Sequence, residues 1–117
     1  MTPLQYAILH HTGIPQPHFD LLFETLPGSE LAAWRSPVWP IETNTPLTRL
    51  RDHRRVYLEF EGELTRGRGS VSRVARGTCA VEVGEDSVWT ISLLTGSTPM
   101  TLRLKYVEAE RWEASVH

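Results

Sequence analysis

The chain has few of the features that mark secreted or membrane proteins. It has one cysteine, Cys79, so no intrachain disulfide can form, and its longest apolar runs are four residues, far short of the roughly 18 residues needed to span a bilayer. Residues 1–5 lack the basic head and the apolar stretch of a secretory signal. We therefore expect a protein of the reducing cytoplasm with no membrane segment. With 117 residues, 40% of them hydrophobic, residues 1–117 are expected to form one folded domain.

Lysine is almost absent from the chain, because Lys105 is the only one among 12 basic residues. Eight of the arginines fall in residues 49–76 against four acidic residues, although the whole chain has a net charge of −2. Arginine makes planar, bidentate contacts with phosphates and carboxylates. The segment therefore predicts a phosphate-binding surface, although a solvated arginine face would explain the same composition.

An amphipathic helical stripe is also missing, whereas alternation of apolar and polar residues, typical of strands, is frequent. Residues 87–94, for example, direct Trp89, Ile91 and Leu93 to one side. Strands are expected over residues 4–11, 18–26, 55–64, 77–83, 87–94, 101–106 and 111–116. Residues 36–46, which contain three of the eight prolines, predict an ordered proline-rich loop. Because open strand edges invite association, we expect a mostly β fold: a small closed or nearly closed barrel of short antiparallel strands.

Histidines cluster near the start of the chain. His18 and Asp20 are one residue apart on a predicted strand, so both side chains leave the same face. An imidazole with a carboxylate suits manganese or zinc better than calcium. A third ligand should come from the end of the preceding strand, where adjacent residues face opposite ways, so that only one of His10 and His11 can join. By spacing alone, an ordinary surface or core role is more common for such histidines than metal binding.

A second group of polar residues lies in the arginine-rich middle of the chain. His53 lies among arginines and is a candidate phosphate ligand or acid, with Tyr57 four residues further on. Gly67 and Gly69 are compatible with a simple turn, because an isolated Gly-x-Gly is weak evidence for a phosphate-binding loop.

In order along the chain, these motifs resemble the 3′-phosphoesterase domain of bacterial DNA ligase D and its small stand-alone relatives. The matching pieces are a strand ending in His11, the H-x-D motif of His18 to Asp20, Trp34 with Pro37, the D-H-x-x-x-Y-x-x-F-E-G string of residues 52–62, and Gly77-Thr78. The resemblance implies a compact β-barrel with a divalent metal, typically manganese. It also implies removal of a 3′-phosphate or a terminal ribonucleoside from nucleic-acid ends during DNA repair.

The resemblance also assigns roles to residues of this chain. It implies that His11, His18 and Asp20 bind the metal, that His53 contacts the scissile phosphate, and that Tyr57 supports the metal or the phosphate. Arg49 matches a basic position of the family, and Arg51, Arg54 and Arg68 are further candidates for phosphate or nucleic-acid binding.

Two departures from the family pattern bear on activity. Leu22 stands where the catalytic domains have an arginine, and Val38 replaces a frequent basic residue. The alternative hypothesis is therefore a catalytically degenerate relative that binds nucleic-acid ends or a repair partner. A third hypothesis is a small β-barrel whose histidines have no functional role. Lys105 does not lie in a Lys-x-Asp-Gly nucleotidylation motif, so any sealing step would need a separate ligase.

Overall fold

The computed structural model describes residues 2–117, and nearly all of the regular structure is β-strand. The strands are β1 (Leu4–Thr12), β2 (His18–Glu24), β3 (Leu31–Ser36), β4 (Thr45–His53), β5 (Gly62–Glu63), β6 (Ser70–Val83), β7 (Val88–Leu93), β8 (Met100–Glu108) and β9 (Arg111–Val116). Two short 3-10 turns cover Arg55–Leu58 and Glu85–Ser87.

The strands form a closed antiparallel barrel, as the sequence predicts. Hydrogen-bonded neighbours follow the order β1-β2-β3-β4-β9-β8-β7-β6, and pairing of β6 with β1 closes an eight-stranded ring. The short strand β5 pairs with β6 outside this ring. Closure leaves no open edge among the eight strands, which removes the usual route to edge-to-edge association.

The barrel interior is filled with side chains. Tyr6, Phe23 and Trp34 are its largest fully buried members, and they pack with aliphatic residues from all eight strands. Such a core leaves no room for a ligand inside the barrel. A functional site must therefore lie on the outer surface or at a barrel end.

A second apolar layer lies on the outer face of β1, β2 and β3. This outer cluster consists of Ala7, Leu9, Leu22, Leu31, Ala33, Leu58 and Val71. Residues 54–69, which we call the cover segment, pack over it through Leu58, Tyr57, Phe60 and Leu64. Burial of Leu58, which is 3% exposed, contributes about 1.5–3 kcal/mol to holding the cover segment in place.

An ion pair with a buried carboxylate fixes the start of the cover segment. The Glu24 side chain is 2% exposed. It accepts hydrogen bonds from the Arg55 side chain and from the backbone N–H groups of Gln5 (2.7 Å) and Gly28 (2.9 Å). Arg55 also donates to the Ser29 carbonyl at 2.9 Å. Burial raises the pKa of Glu24, but these hydrogen bonds outweigh it and the net effect is a lowered pKa.

Several expectations about individual elements are wrong. Residues 55–64 form a 3-10 turn and the two-residue β5 instead of one strand, because burial at Tyr57, Leu58, Phe60 and Leu64 does not follow the two-residue period of a strand. Strands β3 and β4 were not expected, and β6 begins at Ser70, seven residues before the expected strand. Residues 37–44 connect β3 to β4 without a helix or strand, and Pro46 lies in β4 instead of in this connection.

No helix within residues 2–117 has the length and apolarity required to cross a bilayer.

Candidate metal centre

Three side chains converge at one end of the β1–β2 pair. Ligand atoms of His11, His18 and Asp20, which we call the metal group, all lie within 4.8 Å of one another. His11 Nδ1 is 3.2 Å from His18 Nε2, and that nitrogen is 3.4 Å from Asp20 Oδ1. His11 pairs directly with His18 across the two strands, so their side chains share a face. His10 faces the other way and stacks on Phe19, with ring centroids 4.4 Å apart.

Backbone carbonyls fix the orientation of both imidazoles. His11 Nε2 lies 2.7 Å from the Arg68 carbonyl oxygen, and His18 Nδ1 lies 2.9 Å from that of Gln16. Because a carbonyl oxygen only accepts hydrogen bonds, each of these nitrogens carries the proton. In the neutral rings, His11 Nδ1 and His18 Nε2 are then left as lone-pair acceptors. Outer hydrogen bonds of this kind are typical of metal-binding histidines.

A glycine turn brings the Arg68 carbonyl to His11. Gly67 and Gly69 have φ values of 66° and 80°, in the region that glycine adopts without strain. A Cβ atom on Gly69 would overlap the Thr12 carbonyl oxygen, so only glycine allows this close approach. The turn expected at this position therefore also supports the metal group.

The electrostatics of the metal group favour a bound cation. Burial lowers the pKa of His18, against opposing effects of the Gln16 carbonyl and Asp20, which disfavours a proton on this ring between the ligand atoms. Asp20 Oδ1 is buried and has no hydrogen-bond donor within residues 2–117. With both rings neutral, three acceptors face one another without a donor, an arrangement that a cation between them would stabilise. Two imidazole nitrogens and a carboxylate oxygen suit manganese or zinc.

A cleft of about 300 Å³ opens beside the metal group, between the outer face of the barrel and the cover segment. We call it the site cleft. Its polar lining residues are His11, Asp20, Arg35, Arg51, His53, Tyr57 and Arg68. His53 Nδ1 donates to the Arg51 carbonyl at 2.9 Å, and the His53 and Tyr57 rings meet edge to face at 5.7 Å. The structure therefore brings His53, Tyr57, Arg51 and Arg68 together with the metal group, although these four residues come from β4, the first 3-10 turn and the glycine turn.

Arg49 and Arg54 lie elsewhere. The Arg49 guanidinium lies 4.2 Å from the Trp34 ring centroid and 5.2 Å from that of Trp89, on the interior-facing side of β4, and it does not line the site cleft. Arg54 lines an adjoining groove with Tyr57 and Arg68. The structure therefore does not place Arg49 with the predicted phosphate-binding residues.

Leu22 shares a face with Asp20, as strand alternation predicts, but it does not border the site cleft. It is fully buried in the outer cluster. The position at which the ligase D pattern has an arginine is therefore apolar and closed to solvent in this chain.

One arginine of the site was not identified from the sequence. Arg35 pairs with Asp20 across β2 and β3 and lines the site cleft. It lies outside the arginine-rich segment, and its strand was not recognised. Had β3 been recognised, alternation from Trp34, whose side chain enters the interior, would have placed Arg35 on the outer face.

No family model and no curated protein sequence matches this chain. The similarity to the ligase D phosphoesterase domain therefore depends on the ordered motifs alone and stays a prediction.

Proposed function

We propose that this protein is a divalent-metal-dependent phosphoesterase that removes phosphate, or a terminal ribonucleoside, from the 3′ ends of nucleic acids in DNA repair. The observation that carries the proposal is the convergence of three acceptor atoms, without a donor between them, at the edge of a cleft lined by arginines. Phosphoryl chemistry requires a place for an anionic ligand next to a cation-binding group, and the arginine-lined cleft beside the metal group has this arrangement.

The residues of the cleft have separate roles in this proposal. His11, His18 and Asp20 would hold the ion, with manganese preferred over zinc. When bound, a divalent ion supplies positive charge against the phosphate oxygens and makes the phosphorus more electrophilic. Arg51 and Arg68 bind and orient the same phosphate through charge-assisted hydrogen bonds.

His53 and Tyr57 act on protons in the proposed reaction. Because the Nδ1 proton of His53 is held by the Arg51 carbonyl, proton exchange at this ring is confined to Nε2. As a water molecule bonds to phosphorus and the bond to the 3′ oxygen breaks, His53 is suited to release a proton from Nε2 to the departing oxygen, while the water gives up its own proton to solvent. The Tyr57 hydroxyl supplies a further donor to the phosphate.

Metal binding is tested by titrating manganese into the wild type, His11→Ala and His10→Ala while following histidine resonances. These two variants are matched, because the residues are neighbours on opposite faces of β1. His11→Ala should weaken binding by at least about a hundredfold, since loss of outer-shell partners alone costs about 10–100-fold, and His10→Ala should change little. Equal responses from the two variants would exclude the proposed ligand set.

Turnover is then measured on a 3′-phosphorylated single-stranded oligonucleotide with manganese. We expect slow release of phosphate that disappears in His53→Ala and persists in His10→Ala. The rate should be low because Leu22 provides no cation, and one preorganised donor is worth about 10²–10³ in rate.

The burial of Leu22 favours a second candidate function, a relative that binds 3′ ends without turnover. Tight binding of the oligonucleotide by the manganese-loaded protein, with no phosphate release, would support this alternative over the phosphoesterase.

A further inference from the structure

A second cavity lies on the other side of the metal group from the site cleft. This side cavity, of about 410 Å³, is lined by His18 and Arg35 and by Pro37, Val107 and residues of β4, β9 and the 16–17 loop. Because His18 belongs to the metal group and Arg35 lines both spaces, the metal group forms part of the wall between the site cleft and the side cavity.

Four side chains form a row from the metal group across the outer face of the barrel. Asp20 pairs with Arg35, Arg35 with Thr48, and Thr48 with Arg111, on β2, β3, β4 and β9. Directly paired residues of antiparallel strands project from the same face. With adjacent strands about 4.8 Å apart, the row extends roughly 14 Å from Asp20. This length accommodates a phosphate and the nucleoside attached to it.

Arg35 is available to a ligand. Its side chain is exposed, and it forms no ion pair or side-chain hydrogen bond with any of residues 2–117. By contrast, Arg55 is committed to Glu24, and Arg111 pairs with Glu108 at 2.9 Å. Arg35 is therefore the free cation next to Asp20, in a chain that has leucine and valine where its catalytic relatives have basic residues.

The side cavity has the chemistry of a nucleoside site. Pro17, Pro37 and Pro46 provide flat apolar surface, and Gln16 and Thr48 provide hydrogen-bonding groups. Small-molecule sites are typically mostly apolar with a few fixed polar groups, and have volumes of roughly 300–1,000 Å³. The cavity has the volume for one nucleoside, and its lining combines this apolar surface with polar and charged groups that include Arg111 and Glu113.

We infer that the side cavity binds the nucleoside that carries the 3′-phosphate, with Arg35 contacting that phosphate where it meets the metal group. This inference rests on the proposed function, because it assumes that a phosphate binds at the metal group. The nucleic-acid strand would then approach over β3, β4 and β9, and its terminal phosphate would point into the site cleft. Arg35 would also supply a cation at the phosphate from β3, since position 22 of β2 supplies none.

The experiment measures equilibrium binding to the manganese-loaded protein by titration calorimetry, with adenosine 3′-monophosphate and inorganic phosphate as the two ligands. Wild type should bind the nucleotide at least about tenfold more tightly than phosphate, since one good polar or stacking contact is worth a factor of this order. Thr48→Trp fills the cavity and should abolish this preference while leaving phosphate affinity unchanged. Thr90→Trp, on β7 outside both cavities, is the control and should keep the preference.

Arg35 is tested separately by Arg35→Ala, with the exposed Arg103→Ala as its matched control. Loss of a charge-assisted contact to phosphate should weaken both ligands about tenfold, and Arg103→Ala should weaken neither. The wild-type ligand comparison and the Arg35→Ala result remain decisive even if Thr48→Trp fails to fold.

The outcomes separate this inference from the proposed function. Equal affinities for the two ligands in wild type, or a preference retained in a folded Thr48→Trp, would overturn the nucleoside site and leave phosphate binding at the metal group intact. An unchanged affinity in Arg35→Ala would overturn the role of Arg35. If the manganese-loaded wild type binds neither ligand, the inference and the proposed function fail together.

Discussion

Replacing Arg55 with methionine should destabilise the protein and alter how its stability depends on pH. The substitution keeps most of the aliphatic volume but leaves the Glu24 carboxylate, 2% exposed, with only the two backbone N–H groups as partners. Breaking a buried ion pair costs about 3–5 kcal/mol, whereas a hydrogen bond to a charged group is worth about 1.5–3 kcal/mol. Because the Arg55 side chain is 39% exposed and partly screened by solvent, we expect a loss of about 2–3 kcal/mol at neutral pH.

The direction of the pH effect follows from the pKa of Glu24. Its pKa is lowered in the folded protein, so the carboxylate contributes stability above its unfolded pKa, and this contribution is lost as pH falls through the folded pKa. Arg55→Met removes the hydrogen bond that does most to lower the pKa of Glu24. Burial then raises the pKa of this carboxyl in the folded protein. The stability gap between wild type and variant should therefore be largest near neutral pH and shrink in acid.

Urea unfolding of wild type and Arg55→Met at about pH 7 and about pH 3.5, on either side of the ordinary carboxylate pKa, measures this gap. Arg111→Met is the control, because its pair with Glu108 is exposed at both ends and should be worth less than about 1 kcal/mol. The double variant Glu24→Gln/Arg55→Met should be more stable than Arg55→Met alone. A gap of the same size at both pH values, or no larger than that of Arg111→Met, would refute the reasoning.

Three other properties can be measured directly. Leu22→Arg should lower the free energy of unfolding by about 3 kcal/mol or more by burying an unpaired charge, whereas Leu22→Met should cost less than about 1.5 kcal/mol; a fully stable Leu22→Arg would show that this position opens to the cleft. Arg51→Ala and Arg68→Ala should each weaken oligonucleotide binding and reduce its salt slope by about 0.7, while Arg103→Ala should do neither. Cys79 should resist thiol reagents until the protein unfolds, because burial raises its pKa to about 12, and rapid labelling of the native protein would contradict this.

The sequence predicted the barrel from strands whose outer faces meet solvent. β8 and β9 alternate between buried and exposed residues, and this alternation is visible in the sequence. β3 is buried on both faces over most of its length, so its sequence shows no period of two. β4 is not predicted from the sequence because it contains Pro46, and proline is typical of loops.

The grouping of the candidate residues can be predicted where it depends on strand parity, but not where it depends on backbone contacts or on a strand that the sequence does not reveal. His18 and Asp20 share a face because they are two residues apart. The carbonyls of Gln16 and Arg68 that orient the histidines have no side-chain signal. Arg49 could not be placed from the sequence because β4 gains one residue against β3 between the pairs Ala33–Leu50 and Leu31–His53. This bulge puts Arg49 and His53, four residues apart, on opposite faces.

Because of the second apolar layer, the two halves of the barrel wall should differ in how many amino-acid changes they tolerate. Nearly every residue of β2 is buried, on one face by the barrel interior and on the other by the outer cluster or the metal group. Arg103 and Lys105 on β8, by contrast, project from the outer face into solvent. Amino-acid changes should therefore accumulate on the outer face of β8, which is also the suitable place for a fluorescent label or an immobilisation tag, whereas β2 should tolerate few changes on either face.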